Sequence, residues 1–115
     1  MSSPTIDRAT FAELEQTAGA EFAVELVDTF LAEAPAMLAD LRAAFVAGDA
    51  DAFRRTAHSL KSNGSTFGAQ AFAAMARRLE LGGMAPVHTA AGQSLDALDA
   101  EYARVASALT ELTRV

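Results

Sequence analysis

His58 is the residue of this chain whose surroundings best suit chemistry. An imidazole is largely neutral and nucleophilic near neutral pH, so one of its ring nitrogens can attack phosphorus. A helix advances about 100° per residue, which places five cationic or small polar residues within about 60° of His58: Arg54, Arg55, Lys61, Ser62 and Ser65. The cations can compensate the negative charge of a phosphoryl group on the ring, and the small serines leave room for a partner protein. This face therefore favours phosphoryl transfer between proteins.

The opposite face of the same predicted helix is apolar. Its core positions are Phe53, Ala57, Leu60 and Gly64. These residues lie about 130° from His58 on average, so they face the protein interior and His58 points to solvent. Gly64 is predicted to allow close helix packing, and Gly68 to end the helix as a C-cap, both structural roles.

Two helices are predicted before the one that carries His58. A short helix spans residues 8–17, capped by Asp7 and ended by Gly19. An apolar stripe then passes Pro35 without losing phase, through Phe22, Leu26, Phe30, Ala34, Leu38, Leu41 and Phe45. It predicts one kinked helix, with a break into two helices at Pro35 as the alternative.

Turn residues separate the remaining elements. Gly48 ends the long helix, Asp49 or Asp51 caps the next one, and that helix stops near Phe67-Gly68. A fourth helix is marked by Phe72, Met75 and Leu79 and ends at Gly82-Gly83, before a loop over residues 84–92. The seam of the last helix is formed by Leu95, Leu98, Tyr102, Val105, Leu109 and Leu112.

No strand pattern appears, so the fold class is all-α. Four amphipathic helices with short turns predict an antiparallel up-and-down four-helix bundle, with the short N-terminal helix as an accessory. The length of 115 residues fits one domain over residues 1–115. We expect a monomer, because each apolar stripe is broken before it could sustain a coiled coil.

Composition excludes several classes of function. The formal net charge is −6 and there is no cysteine. Nucleic acids and anionic membranes are bound mainly through Lys and Arg, so neither is expected as a partner. The chain shows no signal peptide or membrane span, which favours a cytoplasmic protein. His88 has no companion ligand at metal-binding spacing, so we expect neither a metal site nor a cofactor.

The one basic zone of this acidic chain surrounds His58. Residues 54–78 hold five cations and no Asp or Glu. Arg77 and Arg78 come level with His58 on the next antiparallel helix, but exposure to water is the simpler account of them. Glu80 is comparably placed and is assigned no role.

The segment from Ala57 to Gly68 resembles the signature of histidine-containing phosphotransfer (HPt) domains. The pattern is a histidine, then Leu60 and Lys61, a small residue at Ser62, and a glycine ten positions after the histidine. The family more often has glycine where this chain has Ser62. The similarity extends to the Gly48-Asp49 turn and to Leu79-Glu80, so it covers most of the chain.

This resemblance implies a role in a multistep His–Asp phosphorelay. His58 would accept a phosphoryl group from a receiver-domain aspartate and pass it to another receiver, while Lys61 steadies the phosphoryl oxygens. The receiver would bring Mg²⁺ and most catalytic groups, so this chain would be a phosphoryl carrier and not an enzyme. Its partners would be response-regulator receivers, a hybrid histidine kinase, or both.

Two other classes of function compete with this interpretation. The first is a docking module that keeps the fold and binds a receiver or kinase without being phosphorylated; intact His58 and Lys61 argue against it. The second is a hydrolase or a kinase-associated phosphatase, which would need an acid–base pair or metal cluster near the histidine. The starting methionine and short tails favour a free-standing shuttle over a piece of a larger kinase.

Overall fold

The computed structural model describes residues 5–82 and 93–113, which form five α-helices and no strand. The helices are α1 (Arg8–Ala18), α2 (Ala20–Ala47), α3 (Ala50–Thr66), α4 (Gln70–Gly82) and α5 (Gln93–Thr113). The all-α prediction is confirmed. The predicted loop over residues 84–92, with His88, lies outside the described residues. No helix in the described ranges is long and apolar enough to cross a membrane.

Helices α2 to α5 form the four-helix bundle predicted from the apolar stripes. Helix α3 packs between α2 and α4, and α5 closes the ring by packing against α4 and α2. Two contacts show that α2 and α3 are antiparallel. The Phe45 ring lies 6.5 Å from Phe53 near the α2–α3 turn, whereas Asn63, farther along α3, donates to Met37, which lies earlier in α2.

An aromatic cluster joins all four helices of the bundle. The Phe30 ring on α2 lies 5.3 Å from Phe67 after α3, 6.3 Å from Phe72 on α4 and 5.8 Å from Tyr102 on α5. Ring pairs at such distances add about 0.5–1.5 kcal/mol each beyond the burial of their surface. The cluster fixes the relative position of the helices that carry the candidate site.

Helix α2 runs through Pro35 without a break, so the one-helix prediction is confirmed. The prediction for one residue of its core stripe is wrong, because Phe22 is 50% exposed. Ala23 and Val27 are fully buried instead. They share a helical phase with Phe30, and Phe22 is rotated about 100° from Ala23, away from the core.

The short N-terminal helix covers one end of the bundle. Gly19 ends α1 as predicted, and its N–H donates to the carbonyl of Glu15 at 2.8 Å. Asp7 occupies the N-cap position, but its side chain makes no cap hydrogen bond to the helix backbone. Its Oδ2 accepts from the Thr10 hydroxyl instead, and its N–H donates to the carbonyl of Gly68. The predicted side-chain cap is therefore wrong, and Asp7 ties α1 to the α3–α4 turn.

The turn before α3 has the predicted glycine and cap. Gly48 has a positive φ of 72°, a conformation that favours glycine, and its N–H donates to the carbonyl of Phe45. Of the two candidate caps, Asp49 is the one used, because its Oδ1 accepts from the N–H of Ala52 at 3.1 Å. This turn fixes where α3 begins and hence the phase of its exposed face.

Candidate functional site

Helix α3 presents His58 to solvent because its other face is locked into the core. Phe53, Ala57 and Leu60 are fully buried, as predicted. The His58 side chain is 56% exposed, so the imidazole is accessible to another protein. Such burial of one face leaves the helix little freedom to rotate, and the position of the ring is set by the backbone.

Two glycines let the neighbouring elements approach α3 closely. A Cβ atom at Gly64 would lie 2.8 Å from Cδ2 of Phe72, so α4 packs directly against the α3 backbone there. Gly68, just after α3, has a φ of 79° and is buried against Asp7. The α3–α4 turn is thus held from both sides, and this fixes which residues of α4 come level with His58.

Glu80 on α4 contacts His58 directly. Its Oε2 lies 2.7 Å from Nδ1 of the imidazole, and the Glu80 side chain is only 15% exposed. Sequence reasoning missed this contact and assigned Glu80 no role. The signal that could have found it is the antiparallel pairing of α3 and α4: with Gly64 against Phe72, positions near 80 come level with position 58.

Lys61 shares the same carboxylate. Its Nζ lies 3.4 Å from Oε1 of Glu80, and its side chain is 29% exposed. The hydrogen bond with His58 is the largest cause that lowers the pKa of the Glu80 carboxyl; burial opposes it, and Lys61 adds to the lowering. The site is therefore a three-residue cluster in which one ionised carboxylate lies between an imidazole and an ammonium group.

The predicted partner-binding residues surround this cluster on exposed positions of α3. Arg54 and Arg55 line an open depression together with His58, Ser59 and Glu80. Arg54 also lies 3.7 Å from Asp51, an exposed pair that contributes little to stability. The depression combines cations with the accessible ring.

The small residues leave the other side of His58 open. Ser62 and Ser65 are both exposed on α3. Nδ1 is occupied by Glu80, and Nε2 has no hydrogen-bond partner among residues 5–82 and 93–113. Arg77 and Arg78 are exposed on α4, as expected. The arrangement presents Nε2 to solvent between small and basic side chains.

A group of acidic or histidine side chains that could hold a metal does not occur in the described part of the chain. Glu80 is the carboxylate next to the ring, and it is already shared by two neighbours. The described site by itself thus offers an exposed nucleophile with electrostatic support.

Comparison with known proteins decides the family. The Hpt domain family matches residues 25–108, which include the whole site. The chain belongs to the Hpt family. Hpt proteins are phosphotransfer carriers of two-component signalling, not classical enzymes, and they interact with receiver domains and kinases.

A solved Hpt structure shares the fold over nearly the full chain. The crystal structure of histidine-containing phosphotransfer protein B (HptB) from Pseudomonas aeruginosa PAO1 superposes with a TM-score of 0.86 at 30% sequence identity. The match covers 97% of this chain and 96% of the HptB chain. No functionally curated protein matches the sequence.

Proposed function

We propose that this Hpt protein carries a phosphoryl group on His58, accepting it from the aspartyl phosphate of one receiver domain and passing it to the aspartate of another. The observation that carries the proposal is the exposed imidazole on a rigid helix, with one ring nitrogen held by Glu80 and the other open to solvent. A carrier of this kind must let a partner's active site reach the nucleophile, and the exposed Ser62 and Ser65 beside the ring permit that approach.

The chemistry assigned to His58 is an in-line displacement at phosphorus. Its ring nitrogen attacks the phosphoryl group, and the aspartate oxygen of the receiver leaves. The receiver is expected to supply Mg²⁺ and most of the groups that stabilise the transition state. The role of this chain is then to place the nucleophile and to compensate the charge of the phosphoryl group.

Lys61 and the two arginines supply that compensation. The phosphoryl group brings nearly two negative charges beside the ring. Lys61 lies within 3.4 Å of the carboxylate that touches His58, so a modest movement of its flexible side chain brings its ammonium group to the phosphoryl oxygens. Arg54 and Arg55, on the rim of the depression, are proposed to contact the acidic surface of a receiver.

The test uses two receiver domains from the same organism. The first receiver is labelled on its aspartate with radioactive phosphate and mixed with this protein, which we propose is a monomer with one domain over residues 1–115. The second receiver is then added. We expect acid-labile, alkali-stable label on wild type and its loss to the second receiver. His58→Gln should take up no label, whereas His88→Gln, a matched change at the other histidine of the chain, should behave as wild type.

The outcomes separate the proposal from its alternative. Receivers that bind the protein but never label it would support an unphosphorylated docking module. Label that remains on His58→Gln would show that another residue is the phosphoacceptor.

A further inference from the structure

Pro35 removes one backbone hydrogen bond from the middle of α2. In an α-helix the N–H of each residue donates to the carbonyl four residues earlier, and proline has no N–H. The carbonyl of Leu31 therefore lacks its ordinary donor, although α2 continues through Pro35 to Ala47. Proline in a helix interior normally kinks or breaks the helix, so the continuity of α2 calls for another donor at this carbonyl.

Tyr102 on α5 supplies that donor. Its hydroxyl donates to the carbonyl oxygen of Leu31 at 3.4 Å. Two rings orient the phenol, because the centroid of Phe30 lies 5.8 Å from that of Tyr102 and the centroid of Phe72 lies 6.3 Å from it. Burial raises the pKa of Tyr102 from its ordinary value of 10.0, so the hydroxyl is protonated at neutral pH and able to donate.

We propose that Tyr102 is a latch on a hinge at Pro35, in which the phenol hydroxyl replaces the missing backbone hydrogen bond and keeps α2 in one piece. The latch crosses between helices, since Leu31 and Pro35 belong to α2 and Tyr102 belongs to α5. The order of α2 at this point thus depends on the packing of α5 against it. The latch acts on the fold and is independent of whether His58 carries a phosphoryl group.

The part of α2 beyond the hinge supports α3. Met37, two residues after Pro35, accepts a hydrogen bond from the side-chain amide of Asn63 on α3. The Phe45 ring, farther along α2, lies 6.5 Å from Phe53 on α3. With the latch closed, both halves of α2 form one rod against which α3 packs. With the latch open, the second half tilts at the proline and carries this support with it.

A double-mutant cycle measured by urea unfolding tests the latch. Tyr102→Phe removes the hydroxyl and keeps the ring. In the wild-type background we expect it to raise the unfolding equilibrium constant roughly threefold to tenfold, which corresponds to the loss of one hydrogen bond. Pro35→Ala restores an N–H at position 35, and this N–H donates to Leu31 in place of the phenol. In that background Tyr102→Phe should change the constant by less than about twofold.

Thr110→Val is the matched control for the loss of a hydroxyl. Thr110 is exposed on α5, and its hydroxyl also donates to a helix carbonyl, that of Ala106. That carbonyl keeps its regular donor, the N–H of residue 110, so the effect of this control should be small and equal in both backgrounds. If Tyr102→Phe also has equal effects in both backgrounds, the hydroxyl does not compensate for Pro35 and the latch is overturned.

Amide hydrogen exchange separates a local hinge from a general loss of stability. The N–H groups of residues 36–38 donate to carbonyls on the other side of Pro35, so they open when α2 tilts there. In Tyr102→Phe we expect them to exchange roughly tenfold faster than in wild type, with a smaller change at residues 26–29, which precede the hinge. Equal acceleration of both segments would show that the variant only lowers global stability, and this result would contradict a hinge at Pro35.

Discussion

Glu80 and His58 are 22 residues apart in the chain, yet a carboxylate oxygen of Glu80 lies 2.7 Å from Nδ1 of the imidazole. The contact exists because α3 and α4 pack antiparallel with Gly64 directly against Phe72. It divides the site into a buried side, where Glu80 and Lys61 meet, and an exposed side, where Nε2 faces solvent.

Lys61→Ala should slow phosphoryl transfer without unfolding the bundle. The ammonium group is expected to make a charge-assisted hydrogen bond to the phosphoryl group in the transition state. Such a bond contributes about 1.5–3 kcal/mol, so we expect a loss of roughly tenfold to a hundredfold in rate. Stopped-flow measurement of transfer from a phosphorylated receiver gives the rate. An unchanged transfer rate would show that Lys61 does not take part in phosphoryl transfer.

Replacing Arg54 and Arg55 together with alanine should weaken receiver binding in a salt-dependent way. Exposed charges at the rim of an interface act mainly on the association rate, and salt screens them. We expect roughly a tenfold slower association at low ionic strength and a smaller difference at high ionic strength. Arg42→Ala is the control, since Arg42 is occupied by Asp96 and Asp99 between α2 and α5. An equal effect per removed charge in the two variants would show that net charge alone matters.

Gly68→Ala should destabilise the protein more than Gly48→Ala. Both glycines have a positive φ, which costs a residue with a side chain about 1–2 kcal/mol. Gly48 has open space around it, whereas a Cβ atom at Gly68 would lie 2.8 Å from the carbonyl oxygen of Asp7. We expect roughly 1–3 kcal/mol more loss at Gly68 from this overlap, measured by urea unfolding. Equal losses would contradict the close contact between α1 and the α3–α4 turn.

The Glu80 cluster should make stability depend on pH in the acid range. The pKa of Glu80 is lowered in the folded protein from its ordinary value of 4.5, mainly by the hydrogen bond with His58. The unfolded chain therefore binds a proton at Glu80 more readily than the folded protein does. The contribution of the ionised Glu80 to stability is fully present above pH 4.5 and is lost as the pH falls through the lower pKa of the folded protein. The stability difference between wild type and Glu80→Gln should shrink from pH 6 to pH 3. The difference between wild type and Glu33→Gln, which changes an exposed residue of α2, should stay small throughout, and a constant difference for Glu80→Gln would contradict the cluster.

Sequence periodicity predicted the bundle and the exposed face of α3 because both follow from local rules. The phase of Phe53, Ala57 and Leu60 places His58 outside, whatever the neighbouring helices do. The end of α2 was equally predictable, since Gly48 and Asp49 act through their own backbone conformation and side chain.

The features that were missed depend on contacts between elements. Glu80 meets His58 through the register of α3 against α4, which the sequence of neither helix specifies alone. Phe22 lies on the edge of an apolar stripe that is wider than the buried face, so periodicity could not decide between it and Ala23. Asp7 has the residue type of a helix cap, but Thr10 and Gly68 bind its side chain and backbone instead.

The central claim is that His58 carries the phosphoryl group, and peptide mapping of the phosphorylated protein under non-acidic conditions tests it most directly. The chain has two histidines, His58 and His88, so the position of the phosphate can be assigned without ambiguity. We predict phosphate on the peptide that contains His58, and none on that peptide in His58→Gln. Phosphate on His88 or on a carboxylate, with the His58 peptide unmodified, would contradict the account.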